Sequence, residues 1–429
     1  MNSIYRGWRV VAAAVVGLAV SPGPVAFYSI GVLMRPLEAQ HGWSVAQLSL
    51  VATILTVSII AMMPLIGAAI DRYGARQVLL PSMVAFALAL ALAGFTNDLT
   101  AFYVAYAAIG VGCAGANSVP FMRAISAWFD RRRGLAIGIA SAGMGAGFTL
   151  VPAYTQFFVD RGGPTAAYCG LAGLILLVGV PVVAAWFRNK PAEMDYRNPE
   201  WQAAGTATAA GIGGGASAAQ ALRMSQFWML LGIYACASGS IYGSAIHLVP
   251  AVQSMGVRPG QAVLAATLFG VTAMLGRVVA GYLCDRFFAP RVAATVFLGG
   301  ATGIAILAAA PGGAWSLLAA LLIGFCSGAE GDTLAVLCSR YFGQRAYGKI
   351  YGHGFSATMV GISIVPYLVG VGFESLQGYR APLAMVATVL ATVALLTWRL
   401  GPYPAYDEEG KLLGEGARKR SVNVHADAA

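Results

Sequence analysis

Apolar residues run through this chain in long blocks separated by short polar loops, with neither the strict alternation of strands nor the single stripe of a surface helix. Twelve blocks can be marked, at about 9–34, 45–70, 77–96, 99–127, 134–158, 164–187, 226–250, 260–284, 292–310, 314–338, 349–372 and 379–400. Crossing roughly 30 Å of hydrocarbon takes roughly 20 mostly apolar residues, and these blocks reach that length. In lipid the backbone must satisfy its own polar groups, which leaves helices or closed barrels, and the blocks are too long for barrel strands. The pattern predicts an all-α membrane protein with twelve transmembrane helices.

Composition agrees: 58% of the residues are hydrophobic and 10% charged, against roughly 25% charged in a soluble domain, too few to cover a large water-facing surface. The net charge of +10 does not point to nucleic acid, because the positive residues gather in short loops. With the N-terminus assigned to the cytoplasm, only Arg35, Arg161, Arg258 and Arg380 fall outside and Arg123 and Arg277 within spans, leaving 21 of the 27 Lys and Arg residues on the cytoplasmic side. That bias puts both termini in the cytoplasm, and the expected location is a bacterial inner (plasma) membrane. The first apolar run is longer than a signal-peptide core, so no cleavable leader is expected. The six cysteines lie in apolar segments without metal-ligand spacing, and no nucleophile, base and orienter set is visible. No cofactor, metal or enzymatic activity is expected. Nothing signals oligomerisation, and a functional monomer is the expectation.

The halves repeat. GAAIDRYGARQVLL (67–80) recurs as GYLCDRFFAPRVAA (281–294) at an offset of 214, and WFDRRRGLAIG (128–138) as YFGQRAYGKIYG (341–352) at 213. The same shift places Tyr28 on Tyr242 and Pro36 on Pro250. The predicted organisation is a six-helix bundle over 1–190, a cytoplasmic linker over 191–224 with short helical pieces near its ends, a second bundle over 225–402, and a disordered cytoplasmic tail over 403–429. A duplicated bundle around a central polar site is the architecture of a secondary transporter working by alternating access.

Charges inside the spans mark the candidate chemistry. Arg277 lies eight residues before Asp285, about 12 Å in from the charged end of the eighth block, where a charge needs a cavity or a partner. Its planar, permanently protonated fork suits a substrate carboxylate, and an internal acid, Glu330 or Asp332 in the tenth block, is the alternative mate. Those two acids are candidates for proton coupling, with Glu330 slightly preferred, or for structural ties between helices. Tyr28 and Tyr242, at matched positions, and Asn117, mid-span in the fourth block, are candidate substrate contacts or packing residues. His247 near the outer end of the seventh block suits a substrate hydroxyl or a proton as well as it suits an interfacial hydrogen bond. Arg123 reads as a cytoplasmic gate or a helix anchor. Asp71, Arg72 and Arg76, with Asp285 and Arg286, read as loop charges whose contacts bias inward against outward opening.

DRYGAR after the second block, with its degenerate copy DRFFAPR after the eighth, resembles the loop signature of the major facilitator superfamily over nearly the whole chain. Within it, WFDRRRGLAIGIASAGMGAG and GRVVAGYLCD resemble the fifth and eighth helices of the monocarboxylate transporters, which makes Arg277 the match for their substrate-binding arginine. The oxalate/formate exchanger is similar, with the same arginine and a second cation in its eleventh helix. Aligned through Phe342 and Gly343, Thr358 stands at that second position here. Ala273 stands where the monocarboxylate pattern has an aspartate, and GLAVSPGPVAFYS where it has a charged first-helix signature. The resemblance implies proton-coupled symport of a small monocarboxylate such as lactate, pyruvate or a related hydroxy acid. Carboxylate exchange of the oxalate/formate type is the alternative, and a non-transporting carboxylate sensor a remoter one. The expected partners are the anion, a proton and the lipid bilayer.

Overall fold

A computed structural model describes residues 6–130, 132–189, 215–254, 259–309, 313–404 and 406. Eleven of its helices are long and apolar enough to cross a membrane. One of these, Arg133–Trp186, leaves helical geometry at Gly162 and Gly163, and Gly163 adopts φ 68°, open to a residue without Cβ. It is therefore two crossings, and the described residues make twelve. The first four spans are Gly7–His41, Val45–Tyr73, Ala75–Ala93 and Leu99–Trp128, and the fifth and sixth flank the break at Gly162. The seventh to twelfth are Ser225–Ser254, Pro259–Arg286, Ala289–Ala309, Gly313–Phe342, Tyr347–Leu376 and Arg380–Trp398.

Two six-span bundles result, and they meet where the second span packs on the eleventh and the fifth on the eighth. These are equivalent crossings under the internal repeat, and they are close. A Cβ at Gly281 would overlap the carbonyl of Gly134, and one at Gly67 would overlap the carbonyl of Gly348. Only helices with glycine at these points can bring their backbones so near. The packing density of the seam thus traces to single residues placed 214 apart.

Two carboxylates lock the same crossings. Asp71, at the end of the second span, accepts hydrogen bonds from the backbone N–H groups of Gly348 and Lys349, both at 2.8 Å. Its repeat mate Asp285 accepts from Gly134 N–H at 2.6 Å and Leu135 N–H at 2.8 Å. The first N–H groups of a helix have no partner within it and carry partial positive charge, so each acid caps the opening turn of a span in the other bundle. Arg123 braces one latch, 3.8 Å from Asp71 and donating to Gln344 at 2.7 Å. Near the other, Arg133 donates to Ser339 and Asp130, each at 3.0 Å, and Arg340 stands 3.6 Å from Asp130. All of this lies on the basic face, the side that carries the loop cations, and there the bundles are shut against each other.

Part of the linker and tail joins that closure. Residues 191–214 and 407–429 lie outside the described residues. Gly215 pairs with Gly343 as an isolated antiparallel bridge, Ala216 N–H donates to Phe342 O, and a short helix, Ala218–Arg223, leads into the seventh span. The tail, expected to be disordered from 403, begins packed. Tyr403 sits against Phe288 and Tyr341, and the Tyr406 hydroxyl donates to Tyr341 O at 2.8 Å. Two phenols with an apolar body and a polar tip explain the difference: Tyr403 packs on two rings while its hydroxyl accepts from Ala289 N–H at 3.1 Å, and Tyr406 reaches the backbone at the end of the tenth span.

Removing one latch charge should loosen the basic face. A carboxylate on two helix-terminal N–H groups contributes on the order of 1–2 kcal/mol, so Asp71→Asn or Asp285→Asn should shift the opening equilibrium about tenfold. Electron–electron resonance distances between labels at Arg72 and Arg286 should gain a longer population in each variant and most in the double variant. An unchanged distribution would show that the latches do not hold the bundles.

Candidate functional site

Between the bundles, above the closed face, two spans lose regular helix. The first widens into a π-helical turn over Gly23–Tyr28, and the fourth breaks at a 3₁₀ turn, Ala114–Ala116, followed by extended backbone at Asn117. The sequence reads as one continuous block over 99–127, so the break corrects that expectation. Pro120, which has no N–H to give, and the run of glycine and alanine before Asn117 are its local causes. Irregular backbone at membrane depth is tolerated where it lines a cavity or is buried in protein.

The eighth span brings Arg277 to the same centre. Gly138 of the fifth span abuts its backbone so closely that a Cβ would overlap the Arg277 carbonyl. Its side chain is 13% exposed, and Nη1 lies 3.7 Å from Asp332 Oδ1. That is a loose ion pair, outside hydrogen-bond range. Asp332 Oδ1 also accepts from the Ser141 hydroxyl at 2.6 Å, while Oδ2 is buried and unpartnered. Glu330, two residues earlier on the tenth span, turns to the seventh and accepts from Ser238. The two acids point to different helices, as a separation of two residues on a helix requires.

Around this pair the structure gathers both matched tyrosines. Tyr242 lies within electrostatic reach of Glu330, Arg277, Tyr28 and Asp332. Tyr28, at the end of the π turn, is 55% exposed and its ring rests 4.4 Å from Phe148. Asn117 is buried at the break in the fourth span. Below them, Tyr351 of the eleventh span meets Ser118 of the fourth at 3.4 Å and lies within reach of both acids.

Other candidates stand apart from the cluster. His247 contacts the carbonyl of Pro366 at 3.1 Å and the Tyr379 hydroxyl at 3.4 Å, tying the seventh span to its own bundle. Asp71, Asp285 and Arg123 bridge the bundles on the basic face, as described. Arg72 and Arg286 lie over Tyr73 and Tyr282 on their own spans, and Arg76 donates to Asn189 and to the Ala184 carbonyl within the first bundle. Ser141, Ser238 and Arg133 were not singled out by sequence. A serine among small residues in a transmembrane run looks like packing, and Arg133 looks like one more loop cation until it is found buried.

Residues 16–366 match the family model described as Major Facilitator Superfamily. The chain belongs to that superfamily. It is 24% identical over 369 residues to monocarboxylate transporter 13 of Bos taurus, covering 85% of this chain and 76% of that one. It is 25% identical over 341 residues to the uncharacterized MFS-type transporter YhjX of Escherichia coli strain K12, covering 76% of this chain and 79% of the relative. Among solved structures, the E. coli fucose:proton symporter superposes with a TM-score of 0.69 at 15% identity, over 90% of this chain and 97% of that chain. The fold of a major facilitator transporter is thereby established for this multi-pass membrane protein, together with the non-enzymatic class to which that fold belongs. Among the described residues no group of three or more His, Cys, Asp or Glu is placed to hold a metal.

The Arg277–Asp332 pair sets a stability expectation. Removing one member of a buried ion pair leaves the other uncompensated, at a cost of about 3 kcal/mol or more. Arg277→Leu should therefore lower the thermal midpoint clearly, and adding Asp332→Asn should recover most of the loss. Additive losses in the double variant would mean that the two charges do not compensate each other.

Proposed function

We propose that this superfamily member is a proton-coupled symporter of a small monocarboxylate, with lactate, pyruvate and related hydroxy acids as the substrate class. The observation that carries the reading is Arg277, a largely but not fully buried guanidinium between the bundles whose internal counter-ion stands 3.7 Å away without hydrogen-bonding it. A cation so placed is neutralised but not saturated, and an incoming carboxylate can take the fork bidentately. The relatedness to a protein named as a monocarboxylate transporter, at low identity, supports the same substrate class. A lone cation favours one carboxylate, since a second would be desolvated without a mate. Tyr28, Tyr242 and Asn117 are the proposed neighbours for the rest of the substrate, with His247 on the outer approach.

Coupling follows from charge. When a substrate anion displaces Asp332 from Arg277, the buried cluster gains one negative charge, and one proton taken up by an acid restores the balance. The contacts favour Asp332 over Glu330 for that proton, because Asp332 is the acid the substrate displaces and Glu330 is held by Ser238. Transport is then electroneutral. In this reading the basic face is cytoplasmic, both termini lie there, and the Asp71, Asp285 and Arg123 contacts gate the inner opening. The bundles are 1–190 and 225–402, joined by a linker over 191–224, and the membrane is a bacterial inner membrane.

Uptake of L-lactate, pyruvate and oxalate by proteoliposomes, with internal pH and potential recorded together, tests the reading. An imposed proton gradient should drive accumulation of a monocarboxylate, a potential alone should not, and Arg277→Lys should weaken apparent affinity at least about tenfold. Counterflow that moves no protons would assign exchange instead, and wild-type affinity in Arg277→Lys would remove the clamp.

A further inference from the structure

Two side chains meet at Asp332 Oδ1, and the nearer of them is not the arginine. The Ser141 hydroxyl reaches it at 2.6 Å, the length of a full charge-assisted O–H···O bond, whereas Arg277 Nη1 stops at 3.7 Å. Buried arginine and aspartate usually close into a bidentate fork at about 2.7–2.9 Å. Here the second carboxylate oxygen is buried with no partner at all, although a guanidinium with spare N–H groups is next to it. The pair is being held open.

We propose that Ser141 is the residue that keeps Arg277 available, tethering the Asp332 carboxylate short of the guanidinium so that a ligand carboxylate competes with a stretched ion pair instead of a closed one. The proposal rests on the reading of Arg277 as a carboxylate clamp and adds to it what sets its affinity. The fold supplies the placement. Gly138 seats the fifth span against the backbone of Arg277, and Ser141, one turn deeper and 2% exposed, then faces the tenth span. Glu330 is held away by Ser238, and Tyr242, Tyr351 and Cys284 are the further ionisable groups within electrostatic reach of Asp332.

The tether crosses between bundles, since Ser141 belongs to the first and Asp332 to the second. It exists in the arrangement seen here, with the basic face shut. When the fifth span withdraws from the tenth, the hydroxyl leaves, Asp332 closes with both oxygens onto Arg277, and the site neutralises itself. Ligand affinity is therefore high while the basic face is closed and falls as it opens, so the internal acid expels the anion on the side of release.

The test needs no substrate. Purified full-length protein is treated with phenylglyoxal, which modifies uncommitted guanidinium groups, and the rate at Arg277 is followed by peptide mass spectrometry in wild type, Ser141→Ala, Asp332→Asn and the double variant, each recovered as a monodisperse species. Ser141→Ala should slow modification of Arg277 about tenfold, in line with loss of a charged hydrogen bond. Asp332→Asn should accelerate it, and the double variant should match Asp332→Asn alone because Ser141 acts only through that carboxylate. Unchanged or faster modification in Ser141→Ala, no acceleration in Asp332→Asn, or an effect of Ser141→Ala that persists without the carboxylate would each overturn the proposal. Uptake by Arg277→Lys reports on the clamp separately, so the two ideas can fail independently.

Discussion

A guanidinium cannot be discharged by losing its proton, so once Arg277 is carried into the membrane the surrounding helices must be arranged to answer its charge. Every neighbour bears on that constraint. Gly138 lets the fifth span touch its backbone, Ser141 reaches past it to Asp332, and Glu330 is kept off by Ser238. One continuous seam runs from Asp285 on the basic face through the Gly134 and Gly281 crossing to Arg277 and ends at Asp332. Latch and site are thus parts of one helix pair, and a movement at either end is felt at the other.

The duplication explains why the closed face is secure without being permanent. Asp71 on Gly348 and Lys349 repeats Asp285 on Gly134 and Leu135, so two similar caps share the load on either side of the pseudo-twofold axis. Hydrogen bonds from backbone N–H groups to carboxylates are strong enough to hold a state and exposed enough to be exchanged for water. The site breaks the symmetry that the latches keep. Arg277, Glu330 and Asp332 all belong to the second bundle, while the first contributes irregular backbone at Tyr28 and Asn117 and the hydroxyl of Ser141. One bundle carries the charge and the other tunes it.

The spans were legible because an apolar block of about 20 residues has few alternatives in lipid. The repeat was legible because Asp71 and Asp285 stand in recognisable copies of one loop, and Arg277 because a charge in such a block is conspicuous. What stayed hidden depends on direction and depth. Asp332 and Glu330 differ by two positions in sequence, and only the helix rotation decides that one meets Arg277 and the other Ser238. Ser141 has no signature at all, since its role is a contact between residues nearly two hundred positions apart. The break at Asn117 left a local trace in Pro120 and the small residues before it, but such residues also occur in unbroken transmembrane helices.

Whether a substrate carboxylate replaces Asp332 on Arg277 can be read from a structure of the protein with a bound monocarboxylate. Both carboxylate oxygens should lie within hydrogen-bond distance of the Arg277 guanidinium, with Asp332 drawn further from it than 3.7 Å. An anion bound elsewhere in the central passage, with Arg277 and Asp332 still paired, would contradict that replacement.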